Sequence, residues 1–176
     1  MKLLRKTVSS ILTFSLALTM LFTINVQASE RIPSMPSDFG EPIDVITYLE
    51  EDGSQITERI YFYPDTSSNT KSKSGTGWYK NEKTKTWTSG ETTTYYAQGY
   101  FTWANGEVSV QSPSGSATEV SGVTLSNKSL THGTGKYGYL FNNFAYVTYS
   151  FTATTDFGMS SDLSVTIRIS ESGNAI

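Results

Sequence analysis

The chain holds one histidine, no cysteine and 16 acidic side chains, and these bound the chemistry open to it. His132 sits in Thr131-His132-Gly133-Thr134-Gly135-Lys136. An acyl-transfer triad needs a base, most often histidine, hydrogen-bonded to a nucleophile. No cysteine nucleophile exists here, and no G-x-S-x-G elbow presents a serine. His132 is therefore expected to be a solvated loop residue. Gly133-Thr134-Gly135-Lys136 invites comparison with a phosphate loop. That motif needs glycine five positions before Gly135 and Ser or Thr after the lysine. Leu130 and Tyr137 stand there instead, so the comparison fails.

Paired carboxylates could run glycoside hydrolysis. Glu91, Glu107, Glu119, Asp156, Asp162 and Glu171 are scattered, mostly at turns and strand ends, where solubility and turn geometry place acids. One histidine and no cysteine exclude a zinc site built from His and Cys alone. Calcium needs several oxygens arranged around a turn. Asp156 and Asp162 flank one loop, and Glu50, Glu51 and Asp52 cluster at a hairpin tip, but neither matches a calcium-loop spacing. The expectation is no catalytic residue, no metal and no cofactor: not an enzyme.

The positive signal is aromatic. The sequence has 11 tyrosines and three tryptophans. Trp103, Phe101, Tyr149 and Phe151 fall on apolar faces and are expected in the core. Tyr48, Tyr96, Tyr100 and Tyr146 fall on polar faces. Outward tyrosines offer apolar area with a polar handle, so these four are the candidate contacts to a sugar or peptide. The competing explanation is that tyrosine is simply a good strand residue.

The elements that position these residues read as strands. Asn105-Gly106 fits a type I′ turn, which needs positive φ at both central positions. It sets Trp103 opposite Val108 and Phe101 opposite Val110 on one face, and Tyr100 opposite Gln111 on the other. Asp52-Gly53 suggests the same turn, with Leu49 opposite Ile56, Val45 opposite Ile60 and Ile43 opposite Phe62. Trp78-Tyr79 and Thr86 to Thr88 suggest a short hairpin around Asn81 to Lys85. Pro113 to Ala117 reads as a turn. Val120 to Leu125 reads as a strand with a bulge near Gly122, and Asn127 to Gly138 as polar and glycine-rich. Phe144 to Thr154 and Leu163 to Ser170 alternate cleanly, with Ala145, Val147, Tyr149, Phe151, Leu163, Val165, Ile167 and Ile169 inward. No stretch after the leader keeps helical spacing over three turns. Short strands between frequent turns predict an all-β antiparallel sandwich, immunoglobulin-like in outline, with about seven to nine strands, or alternatively a small barrel.

Met1 to Ala28 reads as a secretory signal peptide. Lys2, Arg5 and Lys6 precede an apolar run, and Val26-Gln27-Ala28 offers small residues for cleavage after Ala28. Residues 29–42 form a Pro- and Ser-rich lead-in. Residues 43–176 form a single β domain with a flexible loop at 65–77. Past Ala28 lie ten basic and 16 acidic side chains, a formal charge of −6. That balance argues against nucleic acid, whose binding rests on neutralising phosphates, and against anionic lipid. No apolar run past the leader is long enough for a membrane span. The expected location is extracellular.

The leader ending Val26-Gln27-Ala28, the Asp52-Gly53 hairpin, Tyr96-x-x-Gly99-x-Phe101 before Asn105-Gly106, and Gly135-Lys136-Tyr137-Gly138 before the Ala145 strand carry a resemblance. The chain resembles small secreted proteins of Gram-positive bacteria with one β domain of unknown function. The resemblance implies export and a β fold, and brings no catalytic residues. The expected role is an extracellular binding module for a glycan or a protein. The alternative is a secreted antagonist acting on a neighbouring cell envelope. Oligomeric state is not written in the sequence.

Overall fold

The computed structural model describes residues 32–65, 74–136 and 143–176. The chain divides into Met1–Arg31 and a compact unit, Ile32–Ile176, and every described strand lies in the compact unit. The expected leader, Met1 to Ala28, falls outside the described residues, as do residues 66–73 and 137–142.

Eight strands follow in order: β1 (Asp44–Leu49), β2 (Gln55–Pro64), β3 (Gly75–Thr86), β4 (Thr92–Ala104), β5 (Glu107–Ala117), β6 (Val123–Lys136), β7 (Asn143–Thr155) and β8 (Ser160–Ser170). They form two antiparallel sheets, β1-β2-β3-β4-β5 and β6-β7-β8. The fold is an all-β sandwich, and the sheet does not close into a barrel. Within each sheet, neighbours in space are neighbours in sequence. The connectivity is therefore a meander, where an immunoglobulin sandwich uses Greek-key crossings.

The central hairpin forms as its turn residues dictate. Asn105 and Gly106 take φ of 54° and 80°, and Trp103 pairs with Val108, Phe101 with Val110 and Tyr100 with Gln111. β7 and β8 also alternate as read: Ala145, Val147, Tyr149, Phe151, Leu163, Val165, Ile167 and Ile169 are all buried. They pack against Tyr95, Ala97 and Phe101 of β4, with β8 over β3 and β4, β7 over β4 and β5, and β6 over β5. Each buried Phe or Ile side chain contributes about 1.5–3 kcal/mol through removal from water.

Four segments differ from the sequence reading. The first hairpin is shifted by one residue: Tyr48, not Leu49, pairs with Ile56. Its turn is a three-residue loop, Glu51-Asp52-Gly53, closed by Glu50 N–H to Ser54 O (2.9 Å) and Gly53 N–H to Glu50 O (3.0 Å). Gly53 takes the left-handed position that such loops require (φ 80°). Second, β3 is one continuous strand, so no turn exists at Asn81 to Lys85, and Gly75 to Gly77 belong to β3 rather than to a loop. Third, β5 runs on through Pro113 to Ala117, past a register break opposite Gln98 to Tyr100. Fourth, Gly122 lies in a turn (φ 89°), and the polar run after it is the edge strand β6. His132 is thus an exposed strand residue opposite Val147, not a loop residue.

The first turn is locked onto β3. Lys85 is buried, and its ammonium lies 2.5 Å from Glu50, 3.2 Å from Asp52 and 4.3 Å from the Trp87 ring centre. The Ser54 hydroxyl and N–H, together with Lys85, hold the Asp52 carboxyl down at about 2, against an ordinary value of 3.8. A depressed folded-state value means that this contribution is complete above pH about 4. It is lost as pH falls through 2. We expect the wild-type denaturation midpoint to drop across that window, and Asp52→Asn to flatten the drop, read by urea titrations at successive pH values.

Tyr100 keeps the outward face read from the sequence, but it is not exposed there. It is 7 % exposed, with its ring against Trp78 (5.7 Å, edge-on) and its hydroxyl donating to Asp65 (2.9 Å). Both faces of the five-stranded sheet are therefore covered at this point. Tyr100→Ala is expected to cost about 3–5 kcal/mol, as a buried aromatic truncation. A denaturation midpoint equal to wild type would return Tyr100 to the surface.

Candidate functional site

The four candidate tyrosines do not converge. Tyr48 is 39 % exposed on the inner side of β1. Tyr96 is half-buried on the outer face of the five-stranded sheet, and Tyr100 is buried on that same face. Tyr146 is half-buried on β7 beside Gly133 and Phe144. They occupy three separate surfaces.

The outer face around Tyr96 is already engaged. Lys80 holds its ammonium 4.9 Å from the Tyr96 ring centre, 5.4 Å from Tyr61 and 6.0 Å from Phe39, and 2.6 Å from the Glu82 carboxylate. Phe39 meets Tyr61 edge-on at 6.2 Å, and the Met35 thioether meets the Gln98 amide. The lead-in therefore lies across this face, and its rings are spent on an internal cation.

Two of the scattered acids come near the same glycine. The Glu91 and Asp156 carboxylates both approach the open side of Gly122, at 3.4 and 3.8 Å from where a Cβ would stand. Asp156 is exposed at that turn. Among the described residues no three His, Cys, Asp or Glu side chains gather as a metal would require.

The concavity richest in rings lies at one end of the sandwich. It has a volume of about 390 Å³ and is walled by Phe62, Tyr79 and Trp103, with Ile43 and Pro64 at its rim. The β3–β4 register sets Gly75 directly opposite Trp103, and a Cβ on Gly75 would stand 2.5 Å from the indole. Gly173 approaches the indole as closely, in a turn where it takes φ of 80°. Two glycines thus let Trp103 lie across the end of the core, half-buried, rather than inside it. Phe62 stacks on Tyr79 at 4.4 Å, and Trp103 meets Phe62 at 6.3 Å and Tyr79 at 6.2 Å.

The polar groups come from the chain's other end. Ser172 and Asn174 line the concavity with Thr76. Their turn is held by Asn174 N–H to Ser170 Oγ (3.1 Å), by paired hydroxyls of Ser170 and Ser172 (3.0 Å), and by Tyr79. The Tyr79 hydroxyl donates to the Gly173 carbonyl at 2.5 Å. Burial pushes that phenol up to about 12, so it remains a neutral donor. No charged side chain lines the concavity among the described residues. Apolar rings with a few hydroxyl and amide groups suit a neutral, hydroxyl-bearing ring.

The sequence reading placed Trp103 in the core and missed Phe62, Ser172 and Asn174 as site residues. The Trp103 face is legible from its hairpin, but its position at the sandwich end depends on Gly75 and Gly173.

No protein-family model, no curated protein and no solved structure matches this chain.

Tyr79→Phe is expected to lose about 1 kcal/mol of stability, the worth of one hydrogen bond to a neutral acceptor. The same change is expected to loosen the Ser172–Asn174 turn, read as faster amide exchange at Gly173 and Asn174 with β7 amides unchanged.

Proposed function

We propose that this chain is an exported, non-catalytic binding module whose end concavity takes a neutral sugar unit of an extracellular glycan. One observation carries the reading: Trp103, Phe62 and Tyr79 wall a cleft whose polar lining is Thr76, Ser172 and Asn174, with no charge among the described lining residues. Sugar rings present an apolar face to an aromatic wall and hydroxyls to amide and hydroxyl partners. The leader features at Lys2 to Ala28 support export, and the acidic balance after Ala28 sets nucleic acid aside. The alternative, an antagonist of a neighbouring cell envelope, draws support from the exposed apolar strand β1.

The test is depletion of the purified protein from solution by insoluble cell-wall and plant polysaccharides. Depletion on one polymer is expected, and both Trp103→Ala and Asn174→Ala should reduce it at least tenfold. Asn174 is exposed, so its variant keeps the fold if Trp103→Ala does not. Tyr146→Ala, which does not line the cleft, should bind as wild type. Absence of depletion on every polymer would sink the glycan reading. Growth inhibition of neighbouring bacteria, lost in Leu49→Lys, would then favour the antagonist.

A further inference from the structure

Edge strands leave backbone N–H and C=O groups unpaired, and proteins blunt them with charge, proline, bulges or cover. The two sheets have four edges, β1 and β5 in one and β6 and β8 in the other. Three are blunted. β5 carries Pro113, a left-handed Ser112 (φ 48°) and a register break. β6 breaks register between Ser126 and Ser129 and bears Lys128 and Lys136. β8 is covered: Asn81 Nδ2 donates to the Thr166 carbonyl (2.9 Å), Ile176 N–H donates to the Arg168 carbonyl (3.0 Å), and Ala175 bridges Ile169. Among the described residues, β1 past Asp44 has none of these devices. Val45 to Leu49 contains no charge, no proline and no register break. It is apolar on both faces, with Val45 and Leu49 on one at 52 % and 72 % exposure, and Ile46 and Tyr48 on the other at 50 % and 39 %.

We infer that β1 is a strand-pairing edge whose occupant is β1 of a second copy of this chain, antiparallel about a two-fold axis at Ile46. The backbone limits the occupant first. Glu50 N–H bonds the Ser54 carbonyl, and bonding alternates from there. Asp44, Ile46 and Tyr48 thus bond to β2, while the N–H and C=O groups of Val45 and Thr47 point to the open side. An extended strand matches that row of donors and acceptors.

Charge then selects the strand. β1 is bounded by Asp44 and Glu50. Its occupant must be uncharged along the middle, apolar on both faces, and must keep acids away from those two. β1 itself meets each requirement. With Ile46 opposite Ile46, Val45 meets Thr47, and Asp44 meets Tyr48, whose phenol is a donor for the carboxylate. Moving the axis to Thr47 would set Asp44 directly against Glu50, a destabilising like-charge pair. The Ile46 register is isologous, makes one continuous sheet, and lays the two uncovered inner flanks side by side. This surface adjoins the end concavity at Ile43, and the strand pairing stands whether or not a glycan binds there.

Every described strand lies in Ile32–Ile176, so purified protein beginning at Ser29 carries the whole fold described above. Sedimentation velocity across a rising concentration series is expected to show twice the monomer mass. Thr47→Pro deletes an outward N–H without touching the β2 ladder. Ile46→Lys brings two ammonium groups together at the axis. Both variants should sediment as monomers with an unchanged circular dichroism spectrum. Leu130→Lys, exposed on β6, should remain dimeric. A wild-type monomer at every concentration overturns the inference, and so does a dimer that survives both β1 substitutions. A monomer that floats with phosphatidylcholine vesicles, and ceases to do so in Ile46→Lys, overturns it in favour of a membrane.

Discussion

Three strands have to cover five. β6, β7 and β8 pack over β3, β4 and β5, and the inner side of β1 and much of β2 is left without a facing sheet. Apolar packing is continuous only where both sheets are present, around Phe101, Ala97, Val147, Val165 and Ile167. Where the second sheet ends, polar and charged side chains enter the inner face, and its composition changes at that line.

The change is visible residue by residue. Along β2 and β3 the inner face reads Phe62 beside Tyr79, then Ile60 beside Asn81, Glu58 beside Lys83 and Ile56 beside Lys85. Asn81 bonds both the Glu58 carboxylate and the Thr166 carbonyl of β8, so it seals the border between the sheets. Lys83 pairs with Glu58 at 3.4 Å, and Lys85 reaches the first turn. Buried or half-buried charges cost free energy unless they are paired and hydrogen-bonded, and here they are. The same border places Ser172 to Asn174 at the sandwich end, where the ring cluster of Phe62, Tyr79 and Trp103 meets solvent.

That border also explains which parts of the fold were legible. The Asn105-Gly106 hairpin and strands β7 and β8 follow from local rules, a two-residue turn and a two-residue period, and in β7 and β8 the period is sharp because one face is buried from Ala145 to Ala153 and from Leu163 to Ile169. β3 hides from the same test. Its apolar start, Trp78-Tyr79, gives way to Lys80-Asn81-Glu82-Lys83, which looks like a turn but is the border running along a strand. β6 hides because an edge strand with little to bury carries Ser, Thr, Lys and Gly. The slip in the first hairpin comes from Gly53, which serves a two-residue or a three-residue loop equally well. The candidate site was legible only in part: aromatic richness pointed to binding, but the cleft joins rings from β2, β3 and β4 with polar groups of the last turn, and no local pattern records that meeting.

The meander has a consequence for how the chain reaches its shape. Every strand pairs with its sequence neighbour, so each ladder can zip from a nearby turn without waiting for a distant partner. Such local ladders form early, because little loop entropy is lost in closing them. The long-range step is the docking of one finished meander on the other. Until then the five-stranded half presents Tyr95, Phe101 and Val108 to water, and the three-stranded half presents Val147, Phe151 and Ile167. Docking the two meanders is therefore the step that closes the longest-range contacts, and the apolar faces that it buries are the ones a partly folded chain would leave open to aggregation and proteolysis.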